Sequence, residues 1–141
     1  MKSRRLAALT GAALLALSAS ALAGTPAPEG AKVYFLTPKD GETVTSPVTV
    51  RFGLSGMGVA PAGTDRPNTG HHHLLIDLEE TPALDGPLPS DDNHKHFGGG
   101  QTETTIELAP GTHTLQLLLG DMNHVPHDPP VMSEKITIEV K

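Results

Sequence analysis

The chain has 141 residues, ten basic and sixteen acidic, and no cysteine. The missing thiol excludes zinc ribbons, thiol redox chemistry, thiolate copper centres and lipid attachment at cysteine. A net charge of −6 argues against nucleic acid, whose binding rests on Lys and Arg contacts to phosphate, and one tyrosine, three phenylalanines and no tryptophan leave little to stack bases or sugars on.

Residues 1–23 read as a cleaved export signal. Lys2, Arg4 and Arg5 form a positive start, Leu6 to Leu22 is apolar or small, and Ala21-Leu22-Ala23 fits a small-x-small cleavage site. The expected destination is the periplasm or the medium. No later stretch is apolar enough for a membrane-spanning helix. Removing the signal takes three basic residues and no acidic ones, leaving a domain of net charge −9 that attracts cations. Residues 24–31 read as a Pro-rich linker, and residues 32–141 as one domain.

That domain shows no helical periodicity. Gly and Pro punctuate it every eight to twelve residues, the pattern of an all-β fold. Val33-Tyr34-Phe35-Leu36 is a short strand ending at Thr37-Pro38, before a turn at Lys39-Asp40-Gly41. Val48, Val50, Phe52 and Leu54 alternate inward. After a Gly/Pro-rich loop from Ser55 to Gly70, His72, Leu74, Ile76 and Leu78 share a core face, so His71 and His73 point together to the opposite side. A polar connection, 81–100, leads to a strand with Thr102, Thr104, Ile106 and Leu108. His113, Leu115, Leu117 and Leu119 alternate in a strong strand. Ile136, Ile138 and Val140 mark the last one. About seven short strands in this length predict an immunoglobulin-like antiparallel β-sandwich.

Seven of the eight histidines fall in three stretches: His71-His72-His73, His94-Lys95-His96, and His124 with His127. In a sandwich the 48–54 strand pairs with 102–108, and 72–78 pairs with 113–119. The second pairing puts the end of the 113–119 strand beside the start of 72–78. The first brings the segment before residue 102 to the same pole. All seven imidazoles are therefore expected at one tip. His113 begins its strand at the far end, roughly 20 Å away at ~3.3 Å per residue, and reads as structural.

Imidazole is the commonest protein metal ligand. An extended His-x-His aims both rings to one side, as His71/His73 and His94/His96 each do, and two such pairs can fill a four-coordinate shell. Met57, Met122 and Met132 lie in the neighbouring loops. Imidazole with thioether favours copper, whereas imidazole with carboxylate suits zinc or Cu(II). Asp65, Asp91, Asp92, Asp121 and Asp128 are candidates to orient the rings. The expected ligands are His71, His73, His94, His96 and His124, with His127 or Met122 as substitutes. Gly98-Gly99-Gly100 is no phosphate loop, because no Lys-Ser/Thr follows. It reads as letting a tight loop enter the 102–108 strand, or as letting backbone approach the histidines closely.

Four segments together resemble a family of small exported bacterial proteins that carry domain of unknown function 4399. They are Gly70–Asp77 (GHHHLLID), Asp92–Glu103 (DNHKHFGGGQTE), Leu108–Leu115 (LAPGTHTL) and Gly120–Val131 (GDMNHVPHDPPV). The resemblance implies an exported, histidine-rich domain and brings no established activity.

The reading that follows is a periplasmic metal-binding protein, with copper as the ion and zinc as the alternative, acting as buffer, carrier or delivery module. Affinity is expected to fall as pH drops through ~6.5, because ligation needs the neutral ring. The alternative is a non-catalytic module of the cell envelope that docks another envelope protein, with the histidines as a structural hydrogen-bond network. A metal-dependent enzyme would need an acid or base at the pole, for which Asp121 or Glu103 are candidates. No segment marks a substrate pocket, and the expectation is a non-enzyme.

Overall fold

The structure, a computed structural model, describes residues 24–141. The proposed signal, 1–23, lies outside the described residues. The described chain is all-β, with nine strands in order: β1 Lys32–Thr37, β2 Thr43–Val44, β3 Val48–Ser55, β4 Gly58–Val59, β5 Thr69–Ile76, β6 His94–His96, β7 Glu103–Ile106, β8 Gly111–Gly120 and β9 Ile136–Val140. One sheet runs β1-β3-β7. The other runs β2-β9-β8-β5-β4, with β6 also paired to β5. This is the strand order of an immunoglobulin-like sandwich. Two short pairings, β2 with β9 and β4 with β5, are parallel.

The core between the sheets follows the predicted alternation. Val33 and Phe35 from β1, Val48, Val50 and Phe52 from β3, Leu74 and Ile76 from β5, Leu115, Leu117 and Leu119 from β8, and Ile136, Ile138 and Val140 from β9 are all buried in it. His72 lies on this inner face. Its ring is buried against Phe52 at a centroid distance of 5.0 Å.

Leu78 departs from expectation. β5 ends at Ile76, and Asp77 turns the chain with φ 54°. Alternation stops there, and Leu78 crosses to the outer face. It packs there with Leu75, Leu118, Leu84 and Leu88 in a second apolar cluster. The 77–93 connection thus roofs the outer face of the larger sheet. The faces of β5 that carry His71 and His73 are therefore buried rather than open to solvent.

Residues 24–31 are docked. The amide of Asp128 donates to the carbonyl of Thr25 at 3.0 Å, and that of Ala27 to the carbonyl of Asp128 at 3.1 Å. Pro26 forms a parallel bridge with Asp128.

His113 sits at the far pole, as expected. Its Nδ1–H donates to Asp77 Oδ2 at 2.7 Å and its Nε2–H to the Ala109 carbonyl at 2.8 Å. Two acceptors call for two ring protons. The Asp77 carboxylate accordingly holds the ring's pKa above its ordinary value, against the opposing effect of partial burial. Asp77 also accepts the Thr114 amide. The pair stabilises the fold fully below pH ~6.5, and that contribution is lost as pH rises through the raised folded value. Asp77→Ala should cost about 1–2 kcal/mol at pH 6, discounted for exposure. Denaturant melts at pH 6 and pH 9 should show the gap to wild type narrowing at the higher pH. An equal gap at both would disprove the ion pair.

Candidate metal centre

The register of β5 against β8 builds the floor of the site. His71 pairs with Gly120 and His73 with Leu118, while His72 pairs with Leu119 on the inner face. Paired residues point to the same side. His71 and His73 therefore stand together on the outer face. Gly120 supplies the room: a Cβ there would lie 2.6 Å from His73 Cε1.

His96 arrives from the edge. The expected route was through the start of the 102–108 strand. Instead His94–His96 itself forms β6, pairing antiparallel with β5 and setting His96 opposite His73. The edge of β5 has unmet hydrogen-bonding groups once β8 takes the other side. Asn93 and Phe97 extend the same ladder, through Ile76 N–H to the Asn93 carbonyl and Phe97 N–H to the His72 carbonyl. Gly98 then folds over the His96 ring so closely that a Cβ would lie 2.3 Å from its Cε1.

His124 closes the group from the loop after β8. Asp121 shapes that loop. Its Oδ1 accepts the amides of Asn123 at 2.8 Å and Val125 at 3.0 Å, and its own carbonyl accepts the His124 amide at 3.0 Å. His124 takes a left-handed backbone, φ 65°, a conformation uncommon outside glycine.

The result is a cluster of four histidines that could hold a metal ion. His71, His73, His96 and His124 each offer one ring nitrogen, all within 4.8 Å of one another. The ring centroids are 4.6 to 6.1 Å apart. His71 Nε2 and His124 Nδ1 face each other at 3.1 Å. Four nitrogens about 2.0–2.1 Å from a tetrahedral ion would be about 3.4 Å apart. His71 and His73 are buried, His124 is half-buried and His96 is exposed, so the group is open on one side.

The other expected ligands lie elsewhere. His94 is turned to Asp91, with Nδ1 2.8 Å from Oδ1. Its amide and that of Asn93 donate to the same oxygen. His127 is buried and donates from Nε2 to the Thr69 carbonyl at 3.1 Å. Met122 lines a small recess with Thr25, Asp65, Arg66 and Asp121. Met57 packs on the main core and Met132 on the second cluster. Glu103 is exposed and paired to Arg51 at 2.8 Å. A cleft of about 520 Å³ between β1 and the segment before β9 contains none of the histidines.

Comparison with known families gives a match over residues 50–141 to the model described as Domain of unknown function (DUF4399). The chain belongs to that family. No curated protein and no solved structure matches it. All four clustered histidines of this DUF4399 domain lie inside the matched span.

Electrostatics in the DUF4399 cluster favour neutral rings. Burial, with repulsion from His124 and His96, lowers the pKa of His71 to about 4. Burial and the neighbouring His71, His96 and His124 lower that of His73 to about 3. Burial alone lowers His72 to about 4, and burial with His124 lowers His96. Neutral imidazole is the form that binds metal. In the folded protein, protons compete for the two buried rings at lower pH than the unperturbed ~6.5. His71 Nδ1 and His73 Nδ1 are buried without a hydrogen-bond partner. Leaving such atoms unmet costs about 1–3 kcal/mol each.

Lowered folded pKa values make acid destabilising. Above pH ~6.5 the folded and unfolded states carry equal protons at these rings, and stability is level. As pH falls from there toward 4, the unfolded chain binds the extra protons. Each such ring then removes up to ~1.4 kcal/mol per pH unit. Chelator-treated protein should therefore lose melting temperature steeply between pH 6.5 and 4.5. A flat profile across that interval would show the rings are not buried neutral.

Proposed function

We propose that this chain is an exported copper-binding protein, holding the ion on His71, His73, His96 and His124 and passing it on as a buffer, carrier or delivery module. The observation that carries the reading is four imidazoles converging from three separate segments with their nitrogens within 4.8 Å. Copper is preferred because an all-imidazole set binds divalent first-row ions with Cu(II) strongest. Zinc, which accepts the same four-coordinate shell, is the alternative. The open rim at His96 favours exchange of the ion with an incoming ligand. The Asp121 carboxylate supports the shell from outside it by holding the loop that carries His124, through the amides of Asn123 and Val125. Export rests on the sequence of residues 1–23.

A metal-free histidine network that presents a docking surface to another envelope protein is the second reading. The 3.1 Å contact between His71 Nε2 and His124 Nδ1 favours it. That network leaves His71 Nδ1 and His73 Nδ1 unpartnered, as are His72 Nδ1 and Nε2 and His127 Nδ1 outside the four-ring cluster.

Titration of untagged protein with Cu(II), Cu(I) and Zn(II) separates the two. A single equivalent should bind with submicromolar affinity. Free metal at ~100 times its Kd should stabilise the fold by ~2.7 kcal/mol. The double change His71→Ala/His73→Ala should weaken binding by more than the ~10–100-fold typical of groups that only orient ligands. Micromolar or weaker binding untouched by that change, with a melting temperature indifferent to chelator, would refute the metal reading.

A further inference from the structure

The segment that the sequence presents as a linker touches the one carboxylate that shapes the His124 loop. Thr25 Oγ1–H donates to Asp121 Oδ2 at 2.7 Å, while Oδ1 of the same carboxylate holds the amides of Asn123 and Val125. Asp121 is buried, and its pKa is nonetheless lowered. Burial pushes it up, and the bonds from Thr25, Asn123 and Val125, with nearby His127, outweigh that. The segment is fixed on both sides of Thr25. Gly24 lies so close to the loop that a Cβ would sit 2.2 Å from the Pro126 carbonyl oxygen, and the Thr25 carbonyl and Ala27 amide bond Asp128. Residues 24–28 thus strap the outside of the loop whose inside carries His124. They lie outside the family match, which begins at residue 50.

We propose that residues 24–28 are a positioning strap, in which Thr25 fixes Asp121 and Asp121 fixes His124, so that a segment holding no ligand sets the affinity of the four-imidazole site. The inference rests on the metal reading for its effect on affinity. The positioning itself can be read without metal. Thr25 is a positioning residue: removing its hydroxyl frees one carboxylate oxygen to rotate away. The amides of Asn123 and Val125 then lose their acceptor, and the turn at His124 keeps only its backbone bonds, from the His124 amide to the Asp121 carbonyl and from the Asp121 amide to the Val125 carbonyl. The strain of a non-glycine left-handed residue favours that release. The fourth ring then spends less time facing His71.

The test compares Thr25→Val, which keeps the shape and removes the donor, with Thr25→Ser, which keeps the donor. Both are made in the whole chain, secreted untagged from an expressing bacterium, with intact mass fixing the first residue. Hydrogen exchange of the Asn123 and Val125 amides in metal-free protein should quicken at least about 10-fold in Thr25→Val, and stay near wild type in Thr25→Ser. Cu(II) affinity should weaken about 10-fold in Thr25→Val, ~1.4 kcal/mol, and be restored in Thr25→Ser. In a His124→Ala background Thr25→Val should change Cu(II) affinity no further, since the two act through one ring. Unchanged amide exchange in Thr25→Val would overturn the strap. So would full additivity with His124→Ala. Wild-type protein that binds no metal would refute the proposed function instead, and the amide exchange would still decide the strap.

Discussion

The site depends on one register: β5 against β8, with a glycine opposite the first of two outward-facing histidines. Pairing His71 with Gly120 and His73 with Leu118 sets the two rings side by side on one face. The absence of a side chain at 120 gives them the space they occupy. A slip of one residue would turn His72 outward and send His71 and His73 into the core. The apolar alternation of β5 opposes that slip, because Leu74 and Ile76 would have to leave the core, where they pack on Leu115, Leu117 and Leu119 of β8. Packing of the sandwich and assembly of the imidazoles are therefore one constraint.

Burial then turns a histidine pair into a chemical site. The outer face of this sheet would ordinarily meet water. Here the 77–93 connection brings Leu84 and Leu88 over Leu75 and Leu118, and the His124 carbonyl accepts the Leu88 amide at 2.9 Å. The loop between β3 and β5 fastens the pole from the other direction, with Gly63 N–H on the Met122 carbonyl and Ala62 N–H on the Gly98 carbonyl. Rings held this way lose water and stay neutral, with lone pairs available to a cation. The same burial leaves ring nitrogens without hydrogen-bond partners, at His71 and His73 in the cluster and at His72 and His127 outside it. His96 and His124, nearer the surface, give that enclosed pair an entrance.

Much of this was legible in the sequence. Period-two alternation marked the inward faces of β3, β5, β8 and β9, whereas β1 was legible only as a short apolar run. Antiparallel pairing of the 72–78 and 113–119 segments predicted that Gly120 and the following loop would meet His71. The strand ends at Asp77 and the roof over the outer face were not legible. A positive φ at an aspartate and a loop that buries two leucines leave no periodic signal. The split of His94 from His96 was hidden for a related reason. Both side chains face the same way on β6, as His-x-His requires, but Asp91 three residues earlier captures the His94 ring. Asp91-x-x-His94 is a capping arrangement visible in the sequence, and it was the available clue. The docking of residues 24–31 had none, since a Pro-rich run is compatible with a free tether or a fixed strap.

The proposed function requires one ion to be shared by rings from β5, β6 and the loop after β8. Anomalous diffraction from crystals of untagged, copper-loaded protein, recorded at the copper and zinc absorption edges, locates that ion. One strong copper peak is expected about 2.0–2.1 Å from a nitrogen of each of His71, His73, His96 and His124. A peak bound instead at His94 or His127, or no ordered peak between those four rings, would rule out the shared site.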